Sequence, residues 1–125
     1  MVQYRNKKTH KQIKYGLHKK NDLRIAKEIL KIGILRRHEE WQKELATIIS
    51  KPYHTEKNAF DRSMEITKMS KDFFKEAMRL EDYYDTRMIP IGIIALLRNG
   101  NLDKEDLSKL SEGAQEEIST LLETL

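Results

Sequence analysis

Residues 88–97 read Met-Ile-Pro-Ile-Gly-Ile-Ile-Ala-Leu-Leu. This is the one run without a charged or strongly polar side chain, in a 125-residue chain of which 35% is charged. The run is too short to cross a bilayer, which takes about 20 apolar residues. A helix apolar on every side must be wrapped by the rest of the protein. Each Ile or Leu it buries contributes roughly 1.5–3 kcal/mol, so the segment is the expected anchor of the core. Asp85 or Thr86 is the expected cap, Pro90 falls in the first turn where backbone N–H groups are unpaired anyway, and Asn99-Gly100 stops the helix. Beyond it, Asp103 with Asp106 resembles a capping box. Ser111 caps a last helix to about Thr124, with Ile118, Leu121, Leu122 and Leu125 on its inner side.

Upstream, two long helical patterns flank a break at Lys51-Pro52-Tyr53-His54, where proline removes a donor and forces its predecessor out of the helical region. The first helix is expected from an N-cap at Asn21 or Asp22 to about Ser50. Ala26, Leu30, Ile34, His38, Trp41, Leu45 and Ile48 form one stripe along it, with Ile25, Ile29 and Ile32 a second covered flank. Glu39, Glu40, Lys43 and Glu44 face solvent. The second helix starts between Thr55 and Asn58 and runs to about Tyr84. Its apolar positions make two adjoining stripes: Phe60, Met64, Thr67, Phe74 and Met78, then Ile66, Met69, Phe73, Ala77, Leu80 and Tyr84. Asp61, Glu65, Lys68, Asp72, Lys75 and Arg79 occupy the opposite face, spaced for helical charge pairs. Similar lengths and a short link predict an antiparallel helical hairpin. The fold class is therefore all-α: a helical bundle with a long antiparallel hairpin, a short buried apolar helix and one or two C-terminal helices.

Charge divides the chain unevenly. Residues 1–20 carry Arg5, Lys7, Lys8, Lys11, Lys14, Lys19 and Lys20 and no acid, whereas residues 99–125 hold seven acids against Lys104 and Lys109, within a net charge of +4. The expected organisation is a basic flexible arm over residues 1–20, where Ile13 and Leu17 after Thr9 allow a turn or two of helix, and a single helical domain over residues 21–125. The absence of cysteine excludes disulfides, thiolate zinc sites and cysteine nucleophiles. The N-terminus lacks the apolar core of a secretory signal, so a cytoplasmic protein that does not enter the membrane is expected.

No dinucleotide fingerprint, phosphate-binding loop or hydrolase nucleophile motif occurs. His38 lies on an apolar stripe beside Glu39 and one turn from Trp41, the setting of a packed histidine. No Glu has a His three residues later, and no two His are four apart, so the bundle metal patterns are absent. No catalytic residue, cofactor or metal site is assigned, and a non-enzymatic protein is expected. Met64, Met69, Phe73, Phe74 and Met78 are the candidate partner surface, because Met-rich apolar faces repack around partners. The two stripes are wider than one partner helix and a short apolar helix can cover, so a homo-oligomer acting through protein–protein interaction is expected. The alternative is a nucleic-acid-associated protein, with Arg5, Lys7, Lys8, Lys11, Lys14, Lys19 and Lys20 neutralising phosphates and Tyr4 and Tyr15 stacking on bases.

The spacing of Ile91-Gly92 through Leu97-Arg98, Glu105-Asp106-Leu107 and Ile118-Ser119-Thr120-Leu121 resembles the repressor-type helix-turn-helix. The connection to Leu102 is short for that pattern. The recognition helix it implies carries Gln115, Glu116, Glu117 and Glu123, which phosphates would repel. The segment therefore reads as a helical pair packing on the bundle.

Overall fold

Two long helices set the frame of the protein. The computed structural model describes Leu17 and residues 19–125. Among them are α1 (Lys20–Ser50), α2 (Glu56–Asp82), α3 (Ile89–Arg98), a 3-10 turn (Lys104–Leu107) and α4 (Glu112–Thr124), with no strand. The protein is all-α, as its periodicity predicts.

Local chemistry fixes most of the boundaries. α1 ends where Pro52 forces Lys51 into an extended conformation, φ −67° and ψ 131°. Thr55 caps α2, its hydroxyl accepting from the Asn58 N–H at 3.0 Å. α3 ends on the bonds of a Schellman motif: Asn101 N–H to Leu96 carbonyl at 2.9 Å and Gly100 N–H to Leu97 carbonyl at 3.2 Å. Gly100 sits at φ +84°, a conformation that disfavours any residue with a Cβ. Asp103 and Asp106 form a reciprocal capping box, and Ser111 caps α4.

Two expected caps are corrected. α1 begins at Lys20 with Lys19 before it, so Asn21 and Asp22 lie inside the helix. Asp22 is buried and caps nothing of its own. It accepts from the Ser111 N–H at 2.9 Å and the Ser111 hydroxyl at 2.6 Å, tying the start of α1 to the start of α4. At the other corner Met88, not Asp85 or Thr86, precedes α3, because residues 83–88 form successive turns and Asp85 accepts instead from the Arg87 N–H.

The core is gathered at one end of the hairpin. α3 buries Ile89, Pro90, Gly92, Ile93, Ile94 and Leu96, somewhat more than half of its circumference. Ile91, expected inside, lies on an exposed face with Arg98, because among the described residues no element packs on that side. It packs chiefly on the first half of α1, against Ala26, Ile29, Leu30 and Ile34. Leu102, Leu107, Leu110, Ala114, Ile118 and Leu121 close the far side. The core also takes in Leu17, from within the segment expected as the arm. Two glycines allow the approach. A Cβ on Gly92 would lie 2.6 Å from Tyr83 Cβ, and one on Gly33 would lie 2.8 Å from Leu102 Cγ and Leu96 Cδ1. Ile32, expected on a covered flank, is exposed, because α3 covers only one side of α1.

The hairpin extends well beyond this core. Buried residues of α1 stop at Ile34, and those of α2 are only Phe73 and Leu80. Arg37 meets Glu76, Trp41 meets Phe73, and Arg62 donates to the Ile49 carbonyl, an order that runs antiparallel. Further out, His38, Trp41, Leu45, Ile48, Ile66 and Met69 are all half-buried.

Candidate interaction surface

α2 carries two apolar faces with the same alternating steps of three and four residues. On the first lie Ala59, Arg62, Ile66, Met69, Phe73, Glu76 and Leu80, all buried or half-buried. On the second lie Phe60, Met64, Thr67, Lys71, Phe74 and Met78, all exposed. At 3.6 residues per turn the two faces point about 150° apart. The expectation of two adjoining stripes is thus corrected: one is turned toward α1 and the other away from it.

Phe73 shows how the inner face is held. It stacks on Trp41 with ring centroids 4.6 Å apart and planes within 9° of parallel. His38 meets the same ring edge-on at 5.2 Å, and the Arg37 guanidinium lies 5.2 Å from its centroid. Arg37 forks onto the Glu76 carboxylate, with Nη2 to Oε1 at 2.9 Å, and also reaches Glu40 at 2.8 Å. The hydrogen bonds from Arg37 hold the Glu76 carboxyl below its ordinary range, and Glu76 in turn raises the Arg37 guanidinium. His38 is thereby a packing residue at the helix contact. Among the described residues no three His, Asp or Glu side chains come together as a metal site.

The candidate surface residues therefore divide. Phe73 is buried at 8% exposure and Met69 is half-buried, both on the inner face. Met64, Phe74 and Met78 stand 51%, 66% and 55% exposed, joined by Phe60 at 63%. Phe60 is missing from the five-residue candidate set, although its place on the Phe60–Met78 stripe was the signal for it. Tyr83 and Tyr84 pack against the core, and burial raises the Tyr84 phenol. A shallow depression of about 580 Å³ runs beside the outer face, lined by Ile66, Thr67, Lys68, Phe74 and Lys75 among others.

Of the arm, Arg5, Lys7, Lys8, Lys11 and Lys14 lie outside the described residues, while Lys19 and Lys20 are exposed at the start of α1. A second depression, of about 530 Å³, sits where α1 meets the Gly100 turn. It mixes Arg36 and Lys43 with Glu39, Glu40 and Glu44, without focusing one sign of charge. Among the described residues no helix is long and apolar enough to cross a membrane. The chain matches no protein-family model, no curated protein and no solved structure.

Proposed function

We infer that this is a non-enzymatic helical protein that works by protein–protein association, and that it self-associates through the outer face of α2. The observation that carries the reading is the exposed row of Phe60, Met64, Phe74 and Met78 on a helix whose other apolar face is already used. At about 200 Å² per large side chain, their exposures leave roughly 450 Å² of surface, within the ~300–600 Å² of the largest apolar patch on a typical monomer, which is often functional. Sedimentation equilibrium tests it. The wild-type protein forms oligomers at high micromolar concentration, and Phe74→Ser with Met78→Ser returns it to the monomer with unchanged helicity. A wild-type monomer at that concentration refutes self-association.

A second reading is supported by the seven cations of residues 1–20, with Tyr4 and Tyr15 among them: association with nucleic acid. Its test is fluorescence anisotropy with labelled DNA and RNA at two salt concentrations. The comparison is with a variant in which Arg5, Lys7, Lys8, Lys11 and Lys14 become Gln. Substitution is preferable to removing residues 1–20, because Leu17 belongs to the core. Salt-dependent affinity that the substitutions abolish supports the arm as a phosphate contact, and equal affinity of both proteins refutes it.

A further inference from the structure

The outer face of α2 continues past its apolar residues with the same three-four spacing. Taken from end to end it reads Lys57, Phe60, Met64, Thr67, Lys71, Phe74, Met78 and Glu81, all exposed. This is a heptad seam about 36 Å long, and among the described residues no other helix covers it. We propose that its occupant is a second copy of the same α2, packed antiparallel about a two-fold axis that crosses the helix near residue 69. The inference rests on the self-association reading and adds the register.

The order of residues selects that arrangement. Antiparallel pairing about residue 69 sets Phe60 opposite Met78 of the other copy and Met64 opposite Phe74, so each aromatic ring meets a methionine thioether. Thr67 meets Lys71. At both ends Lys57 meets Glu81. On one flank Asp61 meets Lys75, and on the other Ser63, Ser70 and Ala77 are small enough to let the helices approach closely. Each of these contacts occurs twice by symmetry, giving four opposite-charge pairs. Like charge is confined to the centre, where Lys68 meets its own copy and the Lys71 residues of the two copies lie in adjacent layers about 6 Å apart along the axis, all of them exposed and flexible side chains. Among the described residues Lys57, Asp61, Lys75 and Glu81 make no ion pair within the chain. A parallel in-register pair would instead set Lys57, Lys71 and Glu81 each against itself, three layers of like charge. Charge therefore distinguishes the two orientations where the apolar residues alone do not.

The area is adequate for a reversible dimer. The roughly 450 Å² from four apolar side chains is over half of the ~800 Å² each partner gives a standard interface, and the stems of Lys57, Lys68, Lys71 and Lys75 lie alongside to supply more. The core sits on the α1 side of the hairpin, leaving the outer face open as far as Met78.

Two sets of exposed substitutions test the register without touching the core. The sequence has no cysteine, so single cysteines can be placed cleanly. Ser70→Cys sits at the axis and is expected to cross-link with a short bismaleimide. Ser63→Cys lies about 21 Å from its copy and is expected not to. Separately, Lys57→Glu or Glu81→Lys alone weakens dimerisation about tenfold in sedimentation equilibrium, and the double variant restores it. If the protein dimerises but Ser63→Cys cross-links as well as Ser70→Cys, or the double reversal gives no rescue, the antiparallel register is overturned while self-association stands. If wild-type protein is monomeric at high micromolar concentration, both are overturned and the face belongs to a different chain.

Discussion

Phe73 and Phe74 are neighbours in sequence and face nearly perpendicular directions, so truncating each tests the assignment of α2's two faces. Phe73→Ala removes a ring that is 8% exposed, together with its stack on Trp41, its edge contact with His38 and its contact with Arg37. Buried Phe→Ala changes cost about 3–5 kcal/mol, and the lower end applies here because half-buried Trp41 can settle into the gap. A loss of about 3 kcal/mol lowers Tm by roughly 10 °C in a chain of this size. Phe74 is 66% exposed, and Ala is the better helix former by about half a kcal/mol. That gain offsets the small contact it loses, so Phe74→Ala changes the stability of the monomer by about 0.5 kcal/mol or less. The assay is urea unfolding followed by circular dichroism at low micromolar concentration, chosen to keep association from contributing, with sedimentation equilibrium at high concentration beside it. Phe73→Ala should unfold early, while Phe74→Ala should unfold normally and lose self-association. Equal destabilisation by both at low concentration would refute the division of α2 into an inner and an outer face.

Three further outcomes follow from the packing. Gly92→Ala gains about 1 kcal/mol of helix propensity but drives a Cβ to 2.6 Å from Tyr83 Cβ, which is anchored to the backbone. Overpacking of about 1–3 kcal/mol exceeds that gain, so this variant should unfold at lower urea, while Gly113→Ala, with nothing within 4 Å, should unfold at higher urea. Asp22→Ala leaves Ser111 without its acceptor and should cost about 2–3 kcal/mol, with Asp22→Asn costing less because one carbonyl oxygen remains; urea midpoints measure both. The Glu76 carboxyl is depressed in the folded state, so its stabilising effect is present above the unfolded value near 4.5 and disappears as pH falls below it. Thermal unfolding from pH 7 down to 3 should therefore show Glu76→Gln about 1 kcal/mol less stable at neutral pH and converging on the wild type in acid.

What was legible in the sequence is what neighbouring residues decide among themselves. Thr55, the Asp103–Asp106 box, Ser111 and the Asn99-Gly100 stop are local chemistry, and each stands in the structure where its motif predicts. Most of the apolar run at residues 88–97 is buried for the reason its composition gives, and Ile91 alone in it is exposed. Asp22 looked like a cap because it stands beside the start of α1. Its real partner, Ser111, is 89 residues away, and no local pattern points there. Asp85 failed as the cap of α3 for a related reason. The chain needs a full turn to bring Gly92 onto Tyr83 before a helix can start, and that requirement belongs to the packing of the corner.

The candidate surface falls between these cases. Residue types along α2 announce two apolar rows, but periodicity does not say which row meets α1. That choice is made where Arg37 clasps Glu76 and Trp41 receives Phe73, contacts between residues more than thirty positions apart. Once it is made, the other row is committed to solvent or to another chain. The row is also long, running the length of a hairpin arm that projects past the core and holds no fully buried residue of its own from residue 35 to residue 72. Two helices joined by a half-buried seam stabilise each other weakly, because helical stability in proteins comes mostly from packing an apolar face. A partner along Phe60 to Met78 would supply that packing. The same residues that leave the outer half of the hairpin thinly supported as a monomer are therefore the ones a second α2 would cover.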